Sequence, residues 1–419
     1  MHETNLALSV LIFSGLFMLA TCAAISLRAL RIPYTIGLVV IGIALGLLAP
    51  HSVFLAPILK VHLTHDLIMY VLLPVLIYDA ALNIKLPMLC NELIPVLLLA
   101  IVGVVLSVLI VSGLLGYLTP LTMTGALLFG ALISATDPVA VIALFKEVGA
   151  PERLSLLMDA ESLFNDATAI VVFGIVMTVI QTGNGVNNGN LLVSAVWDFF
   201  RVFVGGGIVG ALLGFGTSYL LRLGRNIPFV QISHTTILAY ASFILADHLL
   251  GVSGVMSTIA AGLVTRAYST KVLSEPVQKY LSPYWAFMSF VANSFVFLLL
   301  GMQEDILFQD LDKYHGHIAF LLLAISAVLM ARLLVVYLLI PVSNRLPKSP
   351  FVDNATKAVM FWGGLRGVVP VALMLSIPVD IPERNIVIHM TLAVILFSLL
   401  VQGTTISQLI TKLGLSKPA

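Results

Sequence analysis

The sequence predicts an all-α polytopic membrane protein with about thirteen transmembrane helices, and three observations carry that prediction. Of its 419 residues, 60% are hydrophobic and only 10% are Asp, Glu, Lys or Arg, whereas a soluble domain has about 25% charged residues. Apolar runs of the ~20 residues that a helix needs to cross a bilayer recur along the whole chain. The cations between those runs fall mostly on one side. A water-soluble fold of this length would need far more polar surface. Soluble enzymes, nucleic-acid binders and fibrous proteins are therefore excluded, and runs this long exclude a β-barrel.

In chain order the spans fall at about 6–27, 34–50, 66–83, 92–118, 123–147, 152–181 and 193–221. The rest follow at about 231–249, 254–267, 284–303, 316–342, 355–377 and 386–411. The ninth is short and the seventh long, so boundaries there are soft; the alternative count is twelve spans, with one early segment lying in the interface. The chain reads as one domain, 1–419. Met1-His2-Glu3 lacks the basic start of a cleaved signal. Few residues follow 412, so no soluble regulatory domain is expected. Cys22 and Cys90 suggest neither a disulfide framework nor a thiolate metal site.

The loops opposite the N-terminus hold Arg28, Arg31, Lys85, Lys146, Arg153, Arg222, Arg225, Arg266, Lys271, Lys279, Arg345, Lys348, Lys357, Lys412 and Lys417. The N-terminal side holds Lys60, Arg201, Lys313 and Arg384. Cytoplasmic loops are enriched in Lys and Arg, so the N-terminus is expected outside and the C-terminus in the cytoplasm. Two cations remain, Arg332 and Arg366, inside spans eleven and twelve. A charge within the membrane is costly and reads as functional when a partner can be named.

Span five is interrupted by Ser134-Ala135-Thr136-Asp137-Pro138. Proline lacks the backbone donor and clashes with the preceding turn. The expected restart has Asp137 as N-cap and Pro138 at the first helical position. Span twelve is interrupted by Gly363-Gly364-Leu365-Arg366-Gly367, with Arg366 placed to offset the negative end of its first half-helix. The two are seven spans apart in order, so they cross the membrane in opposite directions. Interrupted segments at matching positions of inverted halves point to a transporter's midplane site. The expected repeats are about 6–181 and about 231–411, joined by the helix at about 193–221.

Span six carries Glu161, Ser162, Asn165 and Asp166. At 100° per residue they fall at about 0°, 100°, 40° and 140°, so four oxygen-bearing side chains share one stripe. A small hard cation takes oxygen ligands. Buried carboxylates also carry protons, because desolvation and a neighbouring acid favour the neutral form. Two adjacent acids need a cation, a proton or an arginine, which makes one site a place of competition. The structural alternative is an ion-pair network, which suits Glu161 with Arg332 but not Asp137 beside Asp166.

Thr136-Asp137-Pro138, Glu161 through Asp166, Ala331-Arg332 and Gly363 through Gly367, in this order and spacing, resemble the NhaP/NHE branch of the cation–proton antiporters. The likeness covers essentially the whole membrane domain. It implies an NhaA-like fold with two crossed discontinuous helices and a homodimer in the plasma (inner) membrane. It implies transported Na⁺ or Li⁺ and H⁺, no cofactor, and a role in sodium and pH homeostasis. Carried over by position, Asp166 would bind the ion and carry the proton. Asp137, Ser162 and the Thr136 backbone would complete the cation site, with Glu161 nearby, acting directly or through water. Arg332 would pair with Glu161, and Arg366 would steady the unwound stretches. Asn165 beside Asp166, in place of a second acid, implies electroneutral exchange of one cation for one proton.

Asp79 in span three either lines an access funnel or faces water near the helix end, and Asp159 is read as funnel lining. The Gly205-Gly206-Gly207, Gly210, Gly214 series reads as close helix packing. Gly251-Val252-Ser253-Gly254 matches a protease serine motif but has no histidine partner. A K⁺/H⁺ antiporter, a cation channel or uniporter, and an intramembrane aspartyl protease are the competing functions. The orientation has a direct check. Green fluorescent protein fused after Ala419 should fluoresce while alkaline phosphatase there stays inactive; active phosphatase would reverse the topology.

Overall fold

Lipid offers no hydrogen bonds, so a spanning backbone must satisfy its own polar groups, and helices do so within one segment. The computed structural model describes residues 2–29, 33–52, 55–61, 63–182, 189–223, 227–272, 275–303, 317–347 and 349–416. Its helices are α1 (His2–Ala29), α2 (Tyr34–Leu48), α3 (Leu67–Asn83), α4 (Leu86–Leu118), α5 (Met123–Ile133), α6 (Val139–Val148) and α7 (Glu152–Thr182). They continue with α8 (Gly189–Leu223), α9 (Pro228–Leu249), α10 (Gly254–Val272), α11 (Glu275–Met302) and α12 (His317–Arg345). The last are α13 (Asn354–Trp362), α14 (Val368–Leu375) and α15 (Arg384–Lys412).

Each predicted span falls on one of these helices or on a half-helix pair. Among the described residues, nine are long and apolar enough to cross a membrane unaided. The other predicted crossings fall on α3, α10, the α5–α6 pair and the α13–α14 pair. Four helices contain one wide π turn, at Leu67–Leu72, Leu98–Gly103, Leu245–Leu249 and Ser398–Gln402. Such turns free backbone groups and cluster at functional sites.

The helices pack as two groups. α1, α2 and α3 pack with α8 through α11, the strongest pairings being α10 on α8 and α11 on α2. α4 through α7 pack with α12 through α15, led by α4 on α5 and α12. Contact between the groups runs mainly through α7, which touches α3, α8 and α10, with smaller contacts of α14 on α3, α10 on α4 and α2 on α6.

The glycine series on α8 packs as expected. A Cβ at Gly206 or Gly210 would fall on the carbonyl of Ser253 or Ser257, so only glycine lets α8 and α10 approach this closely. One of the cations assigned to loops is misplaced by sequence. Lys357 lies in the first turn of α13 and is buried, its Nζ donating to Asn354 Oδ1 at 3.0 Å. Arg31, Arg225, Lys313, Lys348 and Lys417 lie outside the described residues, as do the side chains of Lys60, Lys146, Arg222 and Lys271.

Replacing Gly210 by Leu should separate α8 from α10. Overpacking costs about 1–3 kcal/mol, read as a lowered melting temperature of the purified protein in detergent. An unchanged melting temperature would contradict the close approach.

Candidate functional site

The two interrupted spans meet at their interruptions. α5 starts at Thr122, whose Oγ1 accepts from the Gly125 N–H at 3.1 Å, and ends at Ile133. α13 starts at Asp353, whose Oδ1 accepts from the Thr356 N–H at 2.9 Å. Hydrogen bonding from Thr356 holds the Asp353 carboxyl below its usual range. Between α5 and α6, and between α13 and α14, the chain is not helical, and each non-helical stretch leaves backbone groups without helical partners. The Asp137 N–H donates to the Leu365 carbonyl at 2.8 Å, tying one break to the other. Gly367 sits against the Asp137 carboxylate so closely that a Cβ there would overlap it.

The restart of span five is shifted by one residue from the sequence expectation. Pro138, with φ −91° and ψ 0°, is the cap, and α6 begins at Val139. Asp137 stands one position earlier, its Oδ1 accepting from the Val139 N–H at 2.9 Å. The carboxylate still faces the positive end of α6, but through a two-residue turn.

Arg366 also acts elsewhere than expected. Its Nη1 donates to the carbonyls of Ser134 and Ala135, each at 2.8 Å, just beyond the last turn of α5. It therefore offsets the carbonyl end of the other broken span's half-helix, not of its own. The carbonyl end of α13 is served by Arg332, whose Nε and Nη2 donate to the Met360 carbonyl at 3.2 and 2.9 Å. Within the π turn of α15, Ser398 Oγ accepts from the Arg366 N–H at 3.1 Å, and Gln402 Nε2 donates to the Trp362 carbonyl at 3.1 Å.

α7 lays its polar stripe across this crossing, and the stripe is wide enough to serve two directions. On one flank Glu161 (2% exposed) takes a bidentate ion pair from Arg332, with Nη2 to Oε2 at 3.1 Å. In the middle, Asn165 Nδ2 donates to Thr136 Oγ1 at 2.6 Å, and its Oδ1 accepts from the Thr136 N–H at 3.3 Å. Ser162 Oγ donates to the Thr136 carbonyl. On the other flank, Asp166 and Ser162 open with Asp137 onto a cavity of about 70 Å³ between the two helix groups. One water needs about 10–15 Å³ of such space, so a cation fits with part of its hydration shell.

The structure thus brings Asp137, Ser162 and Asp166 to one cavity, and Asp159 stands on its wall. Thr136, Glu161, Asn165, Arg332 and Arg366 share a second, smaller cavity across α7. Asp79 accepts from Asn83 Nδ2 at 2.9 Å on its own helix; its neighbours Leu76, Ile77 and Ala80 line the larger cavity, which Asp79 itself does not. Sequence reasoning missed Asn293, a cavity-lining residue of α11. A polar pair, Asn293-Ser294, inside an apolar span was the available signal. It also missed the carbonyl clients of both arginines. Two carboxylates and a hydroxyl around a small cavity can hold an alkali cation or a proton.

A family model described as "Sodium/hydrogen exchanger, transmembrane" matches residues 16–412. The Na⁺/H⁺ antiporter ApNhaP of Aphanothece halophytica is 38% identical over 415 residues, 99% of this chain and 76% of the relative. The Na⁺/H⁺ antiporter NhaP of Pseudomonas aeruginosa is 33% identical over 411 residues, covering 94% of each. The solved structure of the sodium proton antiporter MjNhaP1 from Methanocaldococcus jannaschii superposes with a TM-score of 0.75 at 22% identity, over 97% of this chain and 99% of that one. That likeness shows the shared fold.

Removing one partner of a buried ion pair leaves an uncompensated charge and costs about 3–5 kcal/mol. Arg332→Ala should therefore destabilise the protein strongly, seen as loss of a monodisperse peak or a much lowered melting temperature. The Glu161→Met, Arg332→Met pair should recover part of that loss, because no charge is stranded, but not the bonds to Met360. No recovery in the double variant would show that the ion pair is not what the single substitution breaks.

Proposed function

The chain belongs to the sodium/hydrogen exchanger family, and from that premise we propose that it exchanges Na⁺, or Li⁺, for H⁺ by alternating access, with Asp166 as the shared carrier. One observation carries the reading most directly: Asp137 and Asp166 face one small cavity while both intramembrane arginines are engaged elsewhere. The neutralising charge at the acids must then come from solution, as a cation or as a proton.

The mechanism follows from that competition. With Asp166 deprotonated, a Na⁺ that sheds part of its hydration shell is held by the Asp166 and Asp137 carboxylates and the Ser162 hydroxyl. On the opposite side of the membrane a proton displaces it. The acid-bearing group carries either load but is held back when empty, because two uncompensated carboxylates at low dielectric are costly. Asn165 is spent on Thr136 and does not titrate, which supports one cation for one proton.

The cavity lies between the two helix groups, so relative movement of the groups would open it to either side in turn. Asp159 on the wall suits a route for hydrated cations. The same reading takes α1–α7 and α9–α15 as inverted repeats joined by α8. It takes the protein as a homodimer in the cytoplasmic membrane, with its N-terminus outside and its C-terminus inside, serving sodium and pH homeostasis.

Asp166→Asn keeps the shape of the side chain and removes its charge and its proton. In proteoliposomes loaded with a pH-sensitive dye, a Na⁺ gradient should move protons in the wild type and not in Asp166→Asn, which should elute and melt like the wild type. Normal exchange in that variant would sink the carrier assignment. Sodium flux without proton flux in the wild type would make the protein a channel or uniporter.

A further inference from the structure

Asn293 is a buried amide that no part of the exchange mechanism has used. It lies on α11, in the helix group facing the acids, and is 7% exposed. It lines the cavity that Asp137, Ser162 and Asp166 line from the other side. Its Nδ2 reaches Ser289 Oγ one turn earlier on the same helix, at 3.5 Å. Its Oδ1 is buried and has no hydrogen-bond partner. A buried polar atom left unpaired is costly and calls for an explanation.

The neighbourhood of Asn293 is held firmly. The adjacent Ser294 Oγ is 2.7 Å from the Tyr34 hydroxyl, and the Tyr34 ring stacks on Phe290 with centroids 5.2 Å apart. α11 is packed along α2. The amide oxygen is therefore a fixed neutral ligand atom on a wall that does not carry the acids. Neutral amide oxygens are good ligands for hard cations. A protonated carboxyl could donate at most one hydrogen bond to it.

We propose that Asn293 Oδ1 is a further ligand for the alkali cation, supplied across the cavity to an ion held by Asp137, Ser162 and Asp166. The inference rests on the exchange reading and deepens it. A bound cation then bridges the two helix groups, whereas a proton stays on one of them. Asn293 would set how tightly the cation is held relative to the proton without itself titrating.

The test compares wild type, Asn293→Leu, Asn293→Asp and Asp166→Asn in proteoliposomes, with proton flux read over a Na⁺ series at alkaline pH. Asn293→Leu removes the oxygen at similar volume and should raise the KM for Na⁺ about tenfold, the loss of one good ligand, with the larger share of the change in KM. Asn293→Asp gives the oxygen a charge and should lower that KM. A residue that only packs would shift both variants the same way or leave KM unchanged, and either result overturns the proposal. If Asn293→Leu does not reach the membrane, Asn293→Asp decides alone: a lower KM supports the ligand, an equal or higher one overturns it. A wild type without Na⁺-driven proton flux would sink the exchange reading itself. Normal wild-type flux, a silent Asp166→Asn and unmoved Asn293 variants would sink only the role of Asn293.

Discussion

Unwinding a helix inside a bilayer strands backbone groups that lipid cannot satisfy, and everything at the centre of this protein follows from how that debt is met. The chain is unwound twice, and the two breaks serve each other. Asp137 N–H goes to the Leu365 carbonyl, and the Arg366 guanidinium goes to Ser134 and Ala135. What remains is covered from the surrounding helices, by Arg332 on Met360, Gln402 on Trp362, and the Ser162 and Asn165 side chains on Thr136. Each break thus satisfies polar groups of the other. Their mutual dependence fixes the position of Asp137 relative to Asp166 more firmly than apolar packing of smooth helices could.

The second organising feature is the division of labour on α7. Its six-residue stretch from Glu161 to Asp166 turns through enough of the helix to face two cavities. On one face the acid is neutralised by a permanent partner, Arg332, and the charge is structural. On the other, Asp166 meets Asp137, and the neutralising partner is exchangeable. The amide of Asn165 stands between them, tied at both ends to Thr136. A fixed pair and a working pair of charges can thus lie on neighbouring turns of one helix without being confused.

Much of this was legible in the sequence. Long apolar runs mark spans because bilayer thickness sets a length, and Pro138 and Gly363-Gly364 mark breaks because their backbones resist a helix. Glu161 with Arg332 was readable because a buried charge demands an opposite one, and the structure pairs them. What stayed hidden depends on register and on long-range approach. Nothing local says that the cap falls on Pro138 and not on Asp137. Arg366 lies more than two hundred residues from the carbonyls it serves, so sequence neighbours suggested its own half-helix instead. Asn293 comes from a helix with no acid or arginine near it in the membrane, and only the fold carries it to the cavity. The wheel angles put Glu161 and Asp166 on one stripe, but only packing shows that the stripe is shared between two cavities.

Arg366 has an electrical consequence. Fixed on carbonyls at the crossing, it is not spent on the carboxylates of Asp137 and Asp166, and Glu161 and Arg332 cancel each other. The acids are left to an exchangeable charge, and a monovalent ion or a proton brings the same amount. Under the proposed exchange, the two loaded forms then carry equal charge through the membrane field. A voltage of 100 mV does about 2.3 kcal/mol of work on each unbalanced elementary charge, and here it finds none to act on. Such a carrier would be driven by concentrations alone and would turn over at the same bias in an energised cell and in a depolarised one.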